Sequence, residues 1–239
     1  MAKSKLGGKR ASQTAQSTTN DTFQGRPPQT IGVFDDNYAT TLRQQYEDNY
    51  DPDVVSALKI YTSKATNANG FSASQELNYA LDNDLKFDPK TTQGQNLRHM
   101  DRYMHDAMHD VGIKTTLTRA AHDDVLKSLG INDYTKLNQK QLQSKLIGTE
   151  YVSKAYTSYS YDESKNPFLT GPQSGGREVI IKATTNPKTK MLFGAKAQAE
   201  TVIDRGTKHR ITNVYYSGKN ATPRTGGTKP VVVIEVEML

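Results

Sequence analysis

Cysteine does not occur among the 239 residues, so the chain forms no disulfide, offers no thiol nucleophile and holds no cysteine-based zinc site. Nor is there an apolar run long enough to cross a bilayer. The opening stretch, MAKSKLGGKRASQTAQSTTND, is positively charged but has no apolar centre. That excludes a Sec-type signal peptide within it and predicts a protein made in the cytoplasm of the producing cell. Hydrophobic residues are few, at 34% with a mean hydropathy of -0.74. Part of that deficit belongs to the polar first segment.

The net charge of +6 is unevenly placed. Residues 1–28 hold Lys3, Lys5, Lys9, Arg10 and Arg26 against Asp21, a local +4 that leaves +2 for the rest. A nucleic-acid-binding domain carries its basic excess on the folded surface, so the folded part is not expected to bind nucleic acid. The tail, rich in Ser, Thr, Gln and Gly, has little to bury and is expected to be disordered or to order only against a docking partner. The length suits one domain with such an appendage.

From about residue 29 the pattern becomes that of a folded domain. DNYATTLRQQYEDNYDPDVVSALKIYTS predicts two helices, the second opening after Asp51 with Pro52 in its first turn and Val54, Val55, Leu58 and Tyr61 as its apolar positions. Ser72 is an N-cap for a third, through Leu77, Tyr79, Ala80 and Leu81. Leu97, Met100, Met104 and Met108 fall at helical spacing in a fourth, expected to run to Gly112. After Thr115 come short β-branched and aromatic runs: IKTTLTRA, EYVSKAYTSYSY, REVIIKATT, AQAETVIDR, KHRITNVYYS and PVVVIEVEML. The expectation is an α+β domain over 29–239, mainly helical to 112 and mainly antiparallel β beyond it.

His105 and His109 in HDAMH have the separation at which two histidines on one helical turn share a zinc ion, with Asp106 where a general base would stand. Asp is a carbon short for that role and no third ligand is evident, His99 lying six residues earlier. The preferred reading is a helix packed through its methionines with the histidines on its wet side, and no metal is expected.

Three features of the second half stand in a telling order. Arg119 ends a strand candidate. Ser158 and Ser160 share a face of the next by alternation, and so, in an extended segment, do Gln198 and Glu200. In that order the chain resembles the mono-ADP-ribosyltransferases of the Arg/Ser-Thr-Ser/Glu-x-Glu type, especially the C3-like exoenzymes. The likeness runs from Arg119 through Tyr156 and Ser158-Tyr159-Ser160 to Gln198-Ala199-Glu200 with TVIDRGTKHRI behind it, and ALKIYTS and ELNYAL resemble helical elements of that family. It covers roughly residues 35–239. Two departures stand out: the middle Thr of Ser-Thr-Ser is Tyr159, and Asp82 occupies a position where the family often has a phosphate-binding Arg, leaving Arg98, Arg102 or Arg177 to supply that charge.

The resemblance implies N-terminal helices packed on a mostly antiparallel two-sheet β core. It implies NAD as substrate and an unidentified protein as target. Glu200 would stabilise the positive charge that develops on the ribose as nicotinamide leaves, and Arg119 would bind the diphosphate or the lower ribose. Ser158 would anchor Glu200, Gln198 would meet the nucleophile, and Asn78, Ser160 and Arg177 would complete the NAD site. Phe193 would be the aromatic that C3-like enzymes place before the Gln. A Gln can only hydrogen bond, whereas a Glu can take a proton from a guanidinium, so Asn or Gln is favoured over Arg as acceptor. The segment ESKNPFLTGPQSGGR is either a loop closing over NAD or a surface connection. An NAD glycohydrolase and a non-enzymatic protein of a phage particle are the alternatives, with delivery by injection or in a virion expected in place of Sec export.

Overall fold

Four helices come first, each opening where a side chain can take up the free N–H groups of its first turn. Asp35 Oδ1 accepts from the Tyr38 N–H at 2.8 Å at the head of α1 (Asp36–Tyr46). Asp51 caps α2 (Pro52–Tyr61), which has its proline in the first turn. Ser72 and Gln75 form a reciprocal capping box on α3 (Ala73–Asp82), and Thr91 caps α4 (Thr92–Asp106). The starts expected at Asp51 and Ser72 are therefore present. This computed structural model describes residue 32 and residues 34–63, 65–169, 176–223 and 226–239. The basic tail lies outside the described residues.

α4 does not reach Gly112. Val111 N–H donates to Thr189 O at 2.8 Å and Gly112 N–H to Pro187 O at 2.9 Å, so a neighbouring strand captures the backbone and His109–Asp110 becomes β1. Then follow β2 (Thr116–Ala121), α5 (Asp124–Ser128), α6 (Gln139–Leu146), β3 (Glu150–Val152), β4 (Thr157–Ser160), β5 (Val179–Thr184), β6 (Lys190–Phe193), β7 (Glu200–Ile203), β8 (Lys208–Ala221) and β9 (Lys229–Met238). No helix among the described residues is long and apolar enough to cross a membrane.

The strands run in the order β1-β6-β7-β4-β2-β5-β9-β8-β3, antiparallel at every join except β5 with β9. The expected two sheets are two leaves of one hydrogen-bonded surface. β1, β6, β7 and β4 form one leaf; β2, β5, β9, β8 and β3 form the other. Between them β2 and β4 share a single residue pair, Thr118 with Ser160. The run EYVSKAYTSYSY is not one strand. Glu150–Val152 pairs with β8 at the far edge, and the chain then crosses to bring Thr157–Ser160 into the seam.

Apolar burial explains where the helices sit. Ala57, Tyr61, Leu77, Met100 and Met104 from α2, α3 and α4 pack on Tyr156, Leu192 and Val202 of the first leaf. A larger cluster joins α1, α5 and α6 to both leaves through Leu42, Leu126, Leu142, Tyr159, Phe193 and Ile234. Each fully buried Leu, Ile or Phe contributes about 2 kcal/mol relative to exposure. Phe193 is 2% exposed, beneath the Arg43 guanidinium at 4.2 Å from its ring centroid. It is therefore part of the core, and the expectation that it serves as the aromatic presented ahead of Gln198 is corrected.

The zinc reading fails on placement. His109 is buried on β1, stacked on Tyr46 at 3.9 Å, and not on the wet side of a helix. His105 pairs with Asp204 at 3.0 Å. Among the described residues no three potential ligands converge.

His109 and His209, the latter stacked on Tyr151 at 4.8 Å, are both held neutral. Burial pushes each down to about 4 from an ordinary 6.5, and the Nε2 of each is buried with no partner among the described residues. Because the folded value lies below the unfolded one, the unfolded chain binds more protons between them, and stability falls as pH drops from about 6.5 to about 4. Thermal unfolding followed by circular dichroism is expected to show a midpoint that declines across that window. His209→Phe should reduce the slope by about one proton.

Candidate active site

The first leaf carries one face toward the helices, and those helices cover only part of it. Tyr156 and Val202 lie under α2 and α4. Ser158, Ser160 and Glu200 continue the same face beyond their edge, by the two-residue alternation of strands. There they border a cleft of about 960 Å³ whose lining includes Tyr61, Asn78, Asp82, Arg119, Ser158, Ser160, Gln198 and Glu200. It opens along the seam between the leaves. Arg119 arrives from β2, one residue past the Thr118–Ser160 pair, and Glu200 stands opposite Ser160 on β7.

Gln198 and Glu200 reach the cleft by a different geometry from the extended one expected. Lys196–Gln198 is a turn of 3-10 helix, and Ala199 follows with φ 48° and ψ 39° before the strand begins at Glu200. A left-handed Ala costs about 1 kcal/mol. Ser160 fixes the turn from below. Its Oγ lies 2.9 Å from the Gln198 carbonyl and 2.8 Å from that of Asp162, sharing one proton between two acceptors. The Glu200 carboxylate is held by backbone: Ala195 N–H donates to Oε2 at 2.8 Å.

Ser158 faces a different neighbour from the one expected. It stands opposite Val202 in the β4–β7 ladder, with its hydroxyl against the Tyr61 phenol. Tyr61 accepts from Asn78 Nδ2 at 3.1 Å, and the same amide donates to Tyr156 O at 3.2 Å. Burial first, and then the Glu200 charge, push the Tyr61 hydroxyl up to about 12 against the opposing pull of Asn78, Arg119 and Ser158. It remains a neutral donor at any physiological pH. Asn78 Oδ1 is buried with no partner among the described residues, an acceptor in the cleft wall whose hydrogen bond is still to be made.

Electrostatically the cleft is mixed. Asp82 lines it at the last turn of α3, its carboxyl raised by desolvation and drawn back down by Arg119 and Lys154. Arg98 and Arg102 lie exposed on α4 and do not line it. Arg102 pairs with Asp106 at 3.5 Å. Arg177 is nearer, with its guanidinium 4.8 Å from the ring centroid of Phe168, which borders the cleft together with Asn166 and Pro167. Residues 166–168 of the segment 163–177 therefore reach the rim, and residues 170–175 lie outside the described residues. Tyr159, between the two serines, packs into the larger core and is 3% exposed.

Some contributors are not among the residues singled out by motif. Tyr61 falls within ALKIYTS and among the apolar positions of its helix but has no expected role in the site, and Phe71 and Tyr79, 53% and 65% exposed, border the mouth where helical periodicity places Tyr79 inward. The N–H that holds Glu200 belongs to Ala195, whose side chain carries no signal.

No protein-family model matches the chain, and no curated protein matches it by sequence. Solved structures do. The chain is similar to Plx2a, an ADP-ribosyltransferase toxin from Paenibacillus larvae, at 13% identity and a TM-score of 0.59 over 85% of this chain and 94% of that one. It is similar to a C3 ADP-ribosyltransferase from Clostridium botulinum at 17% identity and 0.58, covering 87% and 98% of the two chains. A C3 protein from S. aureus, solved with NAD, gives 17% and 0.58 over 89% and 99%. The chain has the ADP-ribosyltransferase fold. The N-terminal helices and the α+β class expected from the sequence are present in that fold, and the expected two-sheet core is one mixed sheet of nine strands among the described residues.

An ion pair ties the floor of the cleft to the helices. Asp101 of α4 receives Arg205 Nε at 2.7 Å and the Tyr156 hydroxyl at 2.9 Å. Removing that carboxylate strands a half-buried cation, while the Tyr156 hydroxyl keeps its bond to the Asp101 carbonyl at 2.9 Å. Asp101→Ala is expected to cost about 2 kcal/mol, read as a fall of several degrees in the calorimetric unfolding midpoint.

Proposed function

We propose that the protein is an NAD-dependent mono-ADP-ribosyltransferase acting on a protein side chain, with Asn or Gln favoured over Arg as acceptor. What carries the reading is the Glu200 carboxylate, fixed by a backbone N–H inside a cleft that also holds Arg119, Ser158, Ser160 and Gln198. The shared fold supports it, since the similar structures are ADP-ribosyltransferases and one of them was solved with NAD.

In this reading the bond between the ribose C1′ and the nicotinamide nitrogen breaks, and its electron pair leaves on nicotinamide. Positive charge grows on the sugar as it does in glycoside cleavage. A fixed carboxylate stabilises that charge more strongly in the transition state than in the ground state, and so accelerates the step. The acceptor's amide nitrogen then bonds to C1′ and loses its proton to solvent. Arg119 offers the diphosphate a planar fork of donors. Tyr61, kept protonated, and Asn78 line the same wall as hydrogen-bonding groups. Ser160 holds the turn that carries Gln198, and Gln198 orients an amide acceptor without taking its proton. Arg177 at the rim completes the cationic side, while Asp82 opposes it.

Incubation with labelled NAD and a cell lysate tests the reading. Labelled protein bands are expected; free ADP-ribose alone would make the site a glycohydrolase, and neither product would leave only a fold. Glu200→Gln should lower turnover by about 100-fold or more with the fold intact, and turnover near wild type would exclude Glu200. Gln198→Glu should change the labelled acceptor while sparing NAD hydrolysis. Asp82→Asn, by removing a like charge facing the phosphates, should lower the KM for NAD roughly threefold.

A further inference from the structure

β6 and β7 form an antiparallel hairpin in which Phe193 stands opposite Thr201. One step nearer the turn, Gly194 N–H donates to the Glu200 carbonyl at 3.0 Å, which makes Gly194 the cross-strand neighbour of Glu200. Side chains directly opposite one another project to the same face, about 5 Å apart. Here one of the two is missing, and the other fills its place. A Cβ on Gly194 would lie 2.6 Å from Glu200 Cδ, 2.7 Å from Cγ and closer still to Oε2. The backbone of Gly194 is not in the left-handed region, so the demand for glycine is steric. Folded across it, the carboxylate reaches the next amide, Ala195 N–H, at 2.8 Å.

We propose that Gly194 is a positioning residue for Glu200: the empty space above its Cα is the seat of the carboxylate, and the Ala195 N–H is the latch that fixes its direction. Ser158, two positions along β4 from the Ser160–Glu200 pair, is occupied with Tyr61 and does not supply that latch. A hydrogen bond to a carboxylate is stronger and shorter than one between neutral groups. It comes from a backbone already tied down, because Ala195 O accepts from Gln198 N–H at 3.0 Å and from Glu200 N–H at 3.2 Å. The effect on turnover rests on the proposed role of Glu200, but the seat and latch do not.

Two variants and one substrate-free measurement decide it. Gly194→Ala blocks the seat. Ala195→Pro deletes the latch at a residue whose φ of -64° is already that of proline and whose N–H makes no other bond among the described residues. Each is expected to lower kcat roughly 100-fold, the scale of an ångström-sized misplacement, with the dissociation constant for NAD unchanged. In the unmodified protein the Ala195 amide proton, followed by NMR, should shift with the ionisation of Glu200, and in Gly194→Ala that dependence should vanish. Wild-type kcat in both variants, or an Ala195 amide in the unmodified protein that ignores the Glu200 titration, overturns the proposal. If neither variant folds, the titration of the unmodified protein decides alone. A folded wild type that turns over no NAD would end the transferase reading and again leave the latch to that titration.

Discussion

A single residue pair governs the shape of the cleft. β2 pairs with β5 over six residues and β4 with β7 over four, yet β2 and β4 meet only at Thr118 and Ser160. A ladder one pair wide cannot keep two twisting leaves flat against each other. They part on leaving it, and the gap between them is the cleft. The residues closest to the seam are those that line it: Arg119 follows Thr118, and Glu200 faces Ser160. Strand alternation makes this register strict. A slip of one residue would turn Tyr159 toward the cleft and send both serines into the core.

The helices complete what the seam begins. Methionines and leucines of α2, α3 and α4 seal one end of the first leaf, and the seal stops where the strand faces become polar. The last turns of α2 and α3 project past that edge and deliver Tyr61, Asn78 and Asp82 to the cleft. The protein thus builds one wall from helix termini and the other from strand ends, with an aromatic and amide network between them. Asp82 and Arg119 line the same cleft, and the positive charge of Arg119 acts on the Asp82 carboxyl, which sets this cleft apart from a plain anion pocket.

Much of this is legible in the sequence, though not for the reasons alternation suggests. The caps at Asp51 and Ser72 announce α2 and α3 because short polar side chains before an apolar periodicity have few other uses. The strands rich in Val and Ile are plain for the same reason. The stretch between 122 and 148 shows no strand pattern, and α5 and α6 form there on tertiary support, with Leu126, Leu142 and Leu146 wholly buried. Methionine spacing misplaces the end of α4, because it continues past the point where strand pairing takes the backbone away. Lys190–Phe193 carries too short a pattern to stand out as a strand, and with it goes the hairpin that seats Glu200. Arg119, Ser158, Ser160, Gln198 and Glu200 are legible by order along the chain, whereas their contacts depend on register across strands that local pattern cannot supply.

Ala199 has a consequence for how such a protein can diversify. Its left-handed backbone passes the chain from the 3-10 turn to the strand at a single residue, and the turn stays tied to the floor, with Ser160 Oγ on the Gln198 carbonyl and Ala195 O accepting from both Gln198 N–H and Glu200 N–H. What the rim displays and what the floor holds are therefore mechanically coupled. Outward side chains can be exchanged there, whereas a change in the number of residues would be felt at Glu200.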